Sequence, residues 1–294
     1  MTNPKKPKET IHEMIERYKI ESEIAPPDPL PAFTADLAVM ISAFLRGGVF
    51  GMLEKGKRGT WDNDEIASQN SYSIKATGEM LDEYDRDTYF GVTNAYAGVI
   101  PGMTHSVPVR AMLRAIGRQS GTFNRVALAE SLRRIAMLRL EIEIDTPRIQ
   151  ATYQGSILNL IRITDKEDQD GGGILYSIPP EFIRFFWRDY SKVNLRERHA
   201  ITGRGSQLAK WLHAYYSSHK IPYPVKVATL KEWSRSKLQD LHAFRFQLKQ
   251  ALKLLEEKGY LHSWKITPDD DLVTIFKNDA EPHQYNFYKE LEGH

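Results

Sequence analysis

One segment near the C-terminus carries the residue types that DNA recognition requires. Residues 236–239, Ser-Lys-Leu-Gln, have the form of a capping box, and Gly259 is placed to end a helix, so the pattern predicts a helix over residues 237–258. With about 100° of rotation per residue, the apolar side chains gather on one face. The predicted buried residues are Leu241, Phe244, Leu248, Ala251, Leu252 and Leu255.

The opposite face of this helix combines cations, amides and one aromatic ring, which are the groups that contact base edges in the major groove. Phe246 lies about 170° from the core direction, where an aromatic ring contributes little to folding. A solvated surface helix is the alternative interpretation, because Lys and Gln occur on many exposed faces. The predicted DNA contacts of this face are Gln239, His242, Phe246, Lys249, Gln250 and Lys253, with Arg245 at the flank.

Positive charge is concentrated around the same helix. The whole chain has a net charge of only +2, whereas residues 231–253 contain six cations and two carboxylates. Such a patch would follow the DNA backbone, and binding would weaken steeply with salt. Further predicted DNA contacts are Lys226, Lys231, Arg235, Ser236, Lys237 and Lys265.

The first half of the chain has a different cationic composition. Residues 76–165 contain ten arginines and no lysine, and the planar guanidinium suits phosphate oxygens or interface carboxylates. Arg110, Arg125 and Arg134 are therefore candidate DNA contacts, although Glu130 on the same helix as Arg134 repels phosphate. The arginines of this first domain have two alternative roles: they position the protein on the DNA backbone, or they form the interface of a homodimer.

Signals for catalysis or metal binding are weak. The absence of cysteine excludes disulfides, thiolate metal sites and cysteine nucleophiles. Residues 203–206 lack the Lys-Ser/Thr ending of a phosphate loop, and the nine histidines form no His-Glu-x-x-His motif. Glu79, Asp82, Asp85 and Asp87 could hold magnesium in a nuclease, but a solvated helix start is favoured. We expect no enzyme activity, no metal and no cofactor.

The order of patterns predicts a helix-rich α+β fold. In the first half, helices are predicted over residues 37–45 and 87–97, then after Pro108 and from Thr122. The period changes to two at residues 140–144, and residues 156–164 are predicted as the return strand of a hairpin. Two helices joined by a tight turn and followed by a β-hairpin form a winged-helix unit.

The second half repeats this succession, so the prediction is two tandem winged-helix domains. Helices are predicted over residues 207–217, from Thr229, and over 237–258, followed by a hairpin of residues 260–266 and 272–276. An acidic, glycine-rich run separates the halves. The predicted division is a flexible arm with a short helix (1–33), a first domain (34–165), a linker (166–173), a second domain (174–279) and a tail (280–294).

No apolar run approaches the length of a membrane helix, and no secretory apolar segment follows the N-terminal lysines. We therefore expect a soluble cytoplasmic protein that does not contact a membrane.

Residues 217–226 read Ser-Ser-His-Lys-Ile-Pro-Tyr-Pro-Val-Lys. This stretch resembles the Ser-Ser-His-x-x-Pro-Tyr-Pro-x-Lys signature of the TrfA-type plasmid replication initiators. Weaker similarity at residues 42–44, 78–81 and 272–273 extends the resemblance over residues 36–277. Pro222 and Pro224 would end the preceding helix and fix its angle to the next one.

The resemblance implies a plasmid replication initiator whose tandem winged-helix domains bind direct repeats (iterons) in double-stranded DNA, promote origin opening, and recruit the host helicase and sliding clamp. The second domain would contact the major groove, in agreement with the helix over residues 237–258. Leu30 and Phe33 stand where family members carry a Gln-Leu-Ser-Leu-Phe clamp motif, without its Gln, and are the predicted clamp contacts. The alternative function is a winged-helix transcription repressor that binds an operator.

Overall fold

The computed structural model describes residues 27–53, 58–69, 72–146, 149–164 and 173–278, and these residues form a helix-rich α+β fold. The helices are α1 (Ser42–Arg46), α2 (Glu83–Ala95), α3 (Val109–Ala115), α4 (Thr122–Met137), α5 (Pro180–Arg188), α6 (Leu195–Ala200), α7 (Ser206–Ser217), α8 (Val227–Trp233) and α9 (Leu241–Glu257). The strands are β1 (Leu37–Ile41), β2 (Thr60–Gln69), β3 (Tyr72–Glu79), β4 (His105–Pro108), β5 (Arg139–Thr146), β6 (Ile149–Ser156), β7 (Asn159–Thr164), β8 (Gly173–Ser177), β9 (Tyr190–Asn194), β10 (Val225–Lys226), β11 (Leu261–Ile266) and β12 (Leu272–Lys277).

The second half contains the elements that the sequence predicted. Helices α7, α8 and α9 are followed by the hairpin of β11 and β12, and β12 pairs with both β11 and β10. One hydrophobic cluster joins these elements, with Trp211, Leu230 and Leu252 fully buried within it. The predicted helices and hairpin of this half are therefore confirmed.

The hairpin predicted for the first half is wrong in its pairing. Strand β5 pairs with β6 on one side and β3 on the other, whereas β7 pairs with β8. The sequence concealed β6 because its residues are mostly polar; Tyr153 supplies its main apolar contact, 5.2 Å from the ring of Phe182. The sheet order is β2-β3-β5-β6, and a second sheet has the order β4-β8-β7.

The helix predicted over residues 37–45 is also wrong for its first half. Residues Leu37–Ile41 form β1, which pairs antiparallel with β9, and only Ser42–Arg46 is helical. Nearly every residue of this run is buried, and a continuous apolar run does not distinguish a buried strand from a buried helix. Helix α2 begins earlier than predicted, because Asp82 caps it by accepting hydrogen bonds from the amides of Tyr84 and Asp85.

The boundary between the two hydrophobic clusters falls after the predicted linker in the chain. The predicted linker, residues 166–173, follows β7 in the chain and ends at Gly173, the first residue of β8, and these two strands are neighbours in one sheet. The first cluster continues through Phe186 and Val193 to Leu195, and the second begins at Ile201. The predicted domain limits themselves stay a prediction.

Polar contacts join the two clusters. Arg198 of α6 is fully buried and donates hydrogen bonds to Glu83 at 2.7 Å and Asp87 at 2.5 Å, both on α2. Arg46 donates to the carbonyl oxygen of Ser218 at 2.8 Å. Since charged groups lose hydration when buried, these partners offset the cost of burying the Arg198 guanidinium between the clusters.

Residues 27–33, the last part of the predicted arm, contact the first half of the chain and α5. The carbonyl oxygen of Leu30 accepts a hydrogen bond from the amide of Gly98, and the indole of Trp187 donates to the carbonyl of Asp28. The earlier part of the predicted arm and the predicted tail lie outside the described residues. Among the helices described, none has the length and apolar character needed to span a bilayer.

Candidate nucleic-acid interface

Helix α9 begins at Leu241 because Asp240, rather than Ser236, is its N-cap. The Asp240 carboxylate accepts hydrogen bonds from the amides of His242 at 2.9 Å and Ala243 at 3.3 Å. The bond from His242 lowers the pKa of Asp240, since it favours the ionised form. Ser236 lies in the preceding turn, where its amide donates to the carbonyl of Lys231. Gly259 follows the helix with a φ of +77°, as expected for a residue that ends it.

The predicted orientation of α9 is confirmed. Phe244, Leu248 and Leu255 are fully buried in the second cluster, as are Ala251 and Leu252. Phe246 is 59% exposed on the opposite side. The helix therefore presents a largely exposed aromatic ring to solvent.

The surface around Phe246 has the predicted polar composition. Its exposed members are His242, Lys249 and Lys253, and Gln250 is half-buried. Gln239 is exposed but precedes α9, so its predicted place on the helix face is wrong. Lys253 lies 3.8 Å from Glu257, a solvent-exposed pair one helical turn apart that contributes little stability. We call the residues His242, Phe246, Lys249, Gln250 and Lys253 the α9 face.

Arg245 is partly exposed beside this surface and pairs with a carboxylate of the protein. Its Nε and Nη2 donate to the two carboxylate oxygens of Asp271, at 2.9 and 2.7 Å. This bidentate pair ties α9 to the turn between β11 and β12, where Asp271 has a φ of +54°. In this arrangement Arg245 positions the hairpin beside the α9 face, and its assignment as a DNA contact stays a prediction.

Other predicted cations border the α9 face to different extents. Lys226, immediately before α8, and Lys237 are exposed. Lys231 is half-buried, with its ammonium 3.4 Å from the carbonyl of Gln239, and Lys265 is half-buried on β11. A groove of about 780 Å³ lies between α8, the start of α9 and strand β2, and Lys231, Lys237 and Glu65 are among its lining residues.

Arg235 lines the same groove, but its side chain contacts the first half of the chain. It has a φ of +53°, and its guanidinium lies over the ring of Trp61, 5.5 Å from the centroid, in the first half of the chain. A Cβ atom at Gly48 would collide with this guanidinium, so the glycine is needed for the close approach. Burial lowers the pKa of Arg235. Arg235 is thus corrected from a DNA contact to a contact between the two hydrophobic clusters.

The three arginines predicted in the first half have different surroundings. Arg110 is exposed at the start of α3, and Arg125 is half-buried on α4. Arg134 donates to the buried carboxylate of Asp85 at 2.9 Å, which removes it from the candidate DNA contacts. The sequence does not reveal this pair, because 49 residues separate its members.

The acidic cluster near α2 is occupied by cations and capping contacts. Asp85 accepts hydrogen bonds from Arg58, Arg134 and Ser131, and Asp82 pairs with Arg58. Although burial opposes its ionisation, Arg198 and Lys210 hold the pKa of Asp87 below its ordinary value. Among the residues that the structure describes, no group of three or more acidic or histidine side chains could hold a metal ion.

The predicted clamp contacts are not presented together. Leu30 is 1% exposed and belongs to the first hydrophobic cluster, so its side chain is inaccessible to a partner. Phe33 lies at the surface under the ammonium of Lys192, 4.0 Å from the ring centroid. The clamp assignment of Leu30 is therefore wrong in this arrangement.

The stretch that resembles the TrfA-type signature forms the end of α7 and the turn before β10. The ring of His219 lies 4.6 Å from the ring of Tyr215, and its Nδ1 is 2.9 Å from the Tyr215 carbonyl oxygen. Burial among these groups lowers the pKa of His219 to about 4. Pro222 is buried in the turn, and the chain then enters β10 at Val225.

We predict that acid destabilises the fold through His219. The ordinary histidine pKa is 6.5, so between that pH and about 4 the unfolded chain binds a proton that the folded chain does not. The free energy of unfolding should therefore fall as the pH is lowered from 7 to 5. His219→Asn keeps a polar group near Tyr215 without titrating there, and should lose less stability over this range in urea unfolding. Equal losses in the variant and the unsubstituted chain would remove His219 as the cause.

Sequence reasoning missed Asp271 and Trp61. Asp271 stood in an acidic turn, Pro-Asp-Asp-Asp, with no sign that one member pairs with Arg245. Trp61 lies on β2, and its contact with Arg235 joins residues 174 positions apart. Arg235 and Asp271 both have a positive φ, which is uncommon for residues other than glycine.

The architecture described above is similar to that of two crystal structures of domains 2 and 3 of RctB, a replication initiator of a Vibrio chromosome. One has a TM-score of 0.52 at 12% identity and covers 80% of this chain and 98% of that chain. The other has a TM-score of 0.51 at 12% identity and covers 81% and 97%. At this identity the similarity concerns the fold. No protein-family model matches the chain, and no curated protein matches it by sequence.

Proposed function

We propose that this chain is an origin-binding replication initiator that contacts the major groove of duplex DNA with the α9 face. The observation that carries the proposal is the exposure of Phe246 on the solvent side of α9, among amides and cations. An apolar ring in this setting suits a thymine methyl group, and the neighbouring Gln and Lys side chains suit adenine, guanine or phosphate. RctB, which shares the fold, is itself a replication initiator.

The elements beside α9 support this geometry. Helix α8 precedes α9 across a short turn, and the hairpin of β11 and β12 is fixed to α9 by the Arg245–Asp271 pair. A winged helix places its second helix in the groove and its first across the backbone, where Lys226 would lie at a phosphate. We propose that both halves are winged helices and that the second is the main DNA-binding unit.

The resemblance of residues 217–226 to the TrfA-type signature supports a more specific proposal for the DNA target and for the steps after binding. Direct repeats are the proposed target, with opening of an adjacent A·T-rich tract and recruitment of the host helicase as later steps. These steps need binding rather than catalysis, so we propose a cytosolic DNA-binding protein without enzyme activity or cofactor.

Selection of bound fragments from random duplex DNA tests the proposal, followed by footprinting on the selected sites. Several direct repeats beside an A·T-rich tract would support the initiator function. A single inverted repeat over a promoter would instead support the repressor, because paired half-sites reflect a two-fold symmetric protein. If no sequence is enriched over bulk DNA, the proposed sequence-specific binding is wrong.

Lys226→Ala should weaken binding to all duplex sequences by a similar factor. Its ammonium is exposed immediately before α8, so the predicted contact is to phosphate and carries no sequence information. The slope of log affinity against log salt should decrease by about one. Fluorescence anisotropy over a series of salt concentrations measures both quantities.

Lys258→Ala is the matched control. Lys258 is also exposed, but it lies at the C-terminal end of α9, whereas Lys226 precedes α8. It should leave affinity and salt slope unchanged. A loss of sequence preference in Lys226→Ala, with the salt slope intact, would contradict a phosphate contact.

A further inference from the structure

The loop before α7 lies directly beside the α9 face. It comprises residues 202–205, and Gly205 has a φ of +81°, a conformation that strains any residue with a side chain. A Cβ atom placed at Gly205 would stand 4.0 Å from the Cβ atom of Gln250, a member of the α9 face. Arg204, the residue before this glycine, is exposed. The loop therefore brings an arginine to the border of the surface proposed to contact DNA.

A depression leads from this loop to the first half of the chain. It has a volume of about 160 Å³, and its lining includes Gly203 and Ser206 on one side and Arg118, which follows α3, on the other. Arg118 is exposed, and its guanidinium lies 5.5 Å from the centroid of the Tyr84 ring. We call Arg118 and Arg204 the basic rim.

The carboxylates that line the depression are already paired inside the protein. Glu83 pairs with Arg198 at 2.7 Å, and Asp87 pairs with Arg198 and Lys210, both at 2.5 Å. Glu83 and Asp87 are both buried, and their negative charge is balanced by these cations. A phosphate that approaches the basic rim therefore meets two exposed guanidinium groups and no exposed carboxylate of the depression.

A different border of the α9 face has the reverse charge. The groove between α8, the start of α9 and β2 is lined by Leu241, which precedes Gln250 by nine residues, or about 14 Å along the helix. On β2, the side chains of Asp62, Asp64 and Glu65 are exposed. These carboxylates would repel a phosphate backbone. The charges on the two borders thus favour one direction in which a duplex could leave the α9 face.

We propose that the duplex bound by the α9 face continues across the basic rim, with Arg204 and Arg118 each contacting a phosphate, and that it does not pass over β2. This inference rests on the proposed function, because it requires α9 to lie in the major groove. Arginine suits the contact, since its planar guanidinium can donate two parallel hydrogen bonds to phosphate oxygens. Such contacts fix the position of the protein on the duplex and carry no sequence information.

Substitution of each arginine tests the two contacts. Arg204→Ala and Arg118→Ala should each weaken binding to the selected site and to unrelated duplexes by a similar factor, and should reduce the slope of log affinity against log salt by about one. Arg162→Ala changes an exposed arginine on β7 and is the matched control, which should leave affinity and slope unchanged. Fluorescence anisotropy measures the affinities, and unfolding transitions that match the unsubstituted chain show that each variant is folded.

The direction of the duplex can be mapped with a single introduced cysteine, because the chain contains none. Ser120→Cys places it at an exposed position two residues after Arg118. An iron chelate attached there generates hydroxyl radicals, which should cleave a duplex carrying the selected site on one flank of that site. The same chelate attached to Asp62→Cys, on β2, should leave this duplex intact.

Failure of this inference differs from failure of the proposed function. If Phe246→Ala weakens specific binding while both arginine substitutions leave the salt slope unchanged, the α9 face binds DNA without the basic rim, and the inference is overturned. Cleavage by the Asp62→Cys conjugate in place of the Ser120→Cys conjugate would also overturn it, because the duplex would then pass over β2. If the unsubstituted chain selects no site from random duplex DNA, the proposed function itself fails.

Discussion

Arg198→Met should lower the free energy of unfolding by about 3 to 5 kcal/mol. The guanidinium of Arg198 is fully buried and pairs with the carboxylates of Glu83 and Asp87, which are also buried. Methionine has a comparable length but no donors, so both carboxylates would lose a partner while remaining away from water. Lys210 would still pair with Asp87, and Arg86 would still lie near Glu83. Urea unfolding at neutral pH measures the decrease in the free energy of unfolding that these remaining pairs do not offset.

Arg196→Met is the matched control on the same helix. Arg196 donates to Asp36 at 2.8 Å, but its side chain is 80% exposed, and exposed ion pairs contribute about 0 to 1 kcal/mol. The two substitutions therefore remove the same group from two environments. Equal and small losses would mean that the pairs of Arg198 are not held away from water, and the description of that contact would be wrong.

The Arg198 contact also bears on the nuclease alternative. Three of the carboxylates near the start of α2, those of Asp82, Asp85 and Asp87, hold arginine or lysine side chains within the protein. Bringing a magnesium ion to them would require breaking those pairs, at a cost like that expected for Arg198→Met. Substitution of Asp85 is therefore expected to destabilise the fold. A loss of function in that variant would not by itself indicate a catalytic role.

Helix α9 was predictable because its amphipathic pattern is strong and local. Leucines and phenylalanine recur with helical spacing over five turns, and Gly259 ends the pattern where the structure ends it. The rotation of the helix follows from that spacing alone, which is why the exposure of Phe246 could be predicted. The same spacing accounts for α4, which was predicted from Thr122 and buries Leu128, Leu132 and Ile135.

Pairing between distant residues was not predictable. Nothing local distinguishes Arg134, which pairs with Asp85, from an arginine that contacts phosphate, and the same holds for Arg235 over Trp61. The partner strand of β5 was misassigned for a related reason: β6 has few apolar residues, and its place in the sheet depends on β5 and on Phe182. Strand β1 was taken for helix because burial on both sides removes periodicity.

Phe246→Ala should weaken binding to the best selected DNA site by about 1 to 3 kcal/mol, which is about five- to 150-fold, and should relax sequence preference. The ring is exposed on α9 and carries no charge, so its predicted contribution is an apolar contact with a base. Binding to unrelated duplex DNA and the salt slope should not change, because both depend on phosphate contacts. Anisotropy titrations against specific and unrelated duplexes measure this difference.

Two further variants separate a base contact from a general effect of removing a ring. Phe246→Leu retains an apolar surface at the same position and should retain most of the preference for the selected site. Phe33→Ala removes another surface ring, one that lies under Lys192 in the first half of the chain, and should leave DNA binding unchanged. If Phe246→Ala binds the selected site as tightly as the unsubstituted chain, the α9 face is not the base-contacting surface. Specific binding would then have to come from another surface, such as the border of the groove between β2 and α8.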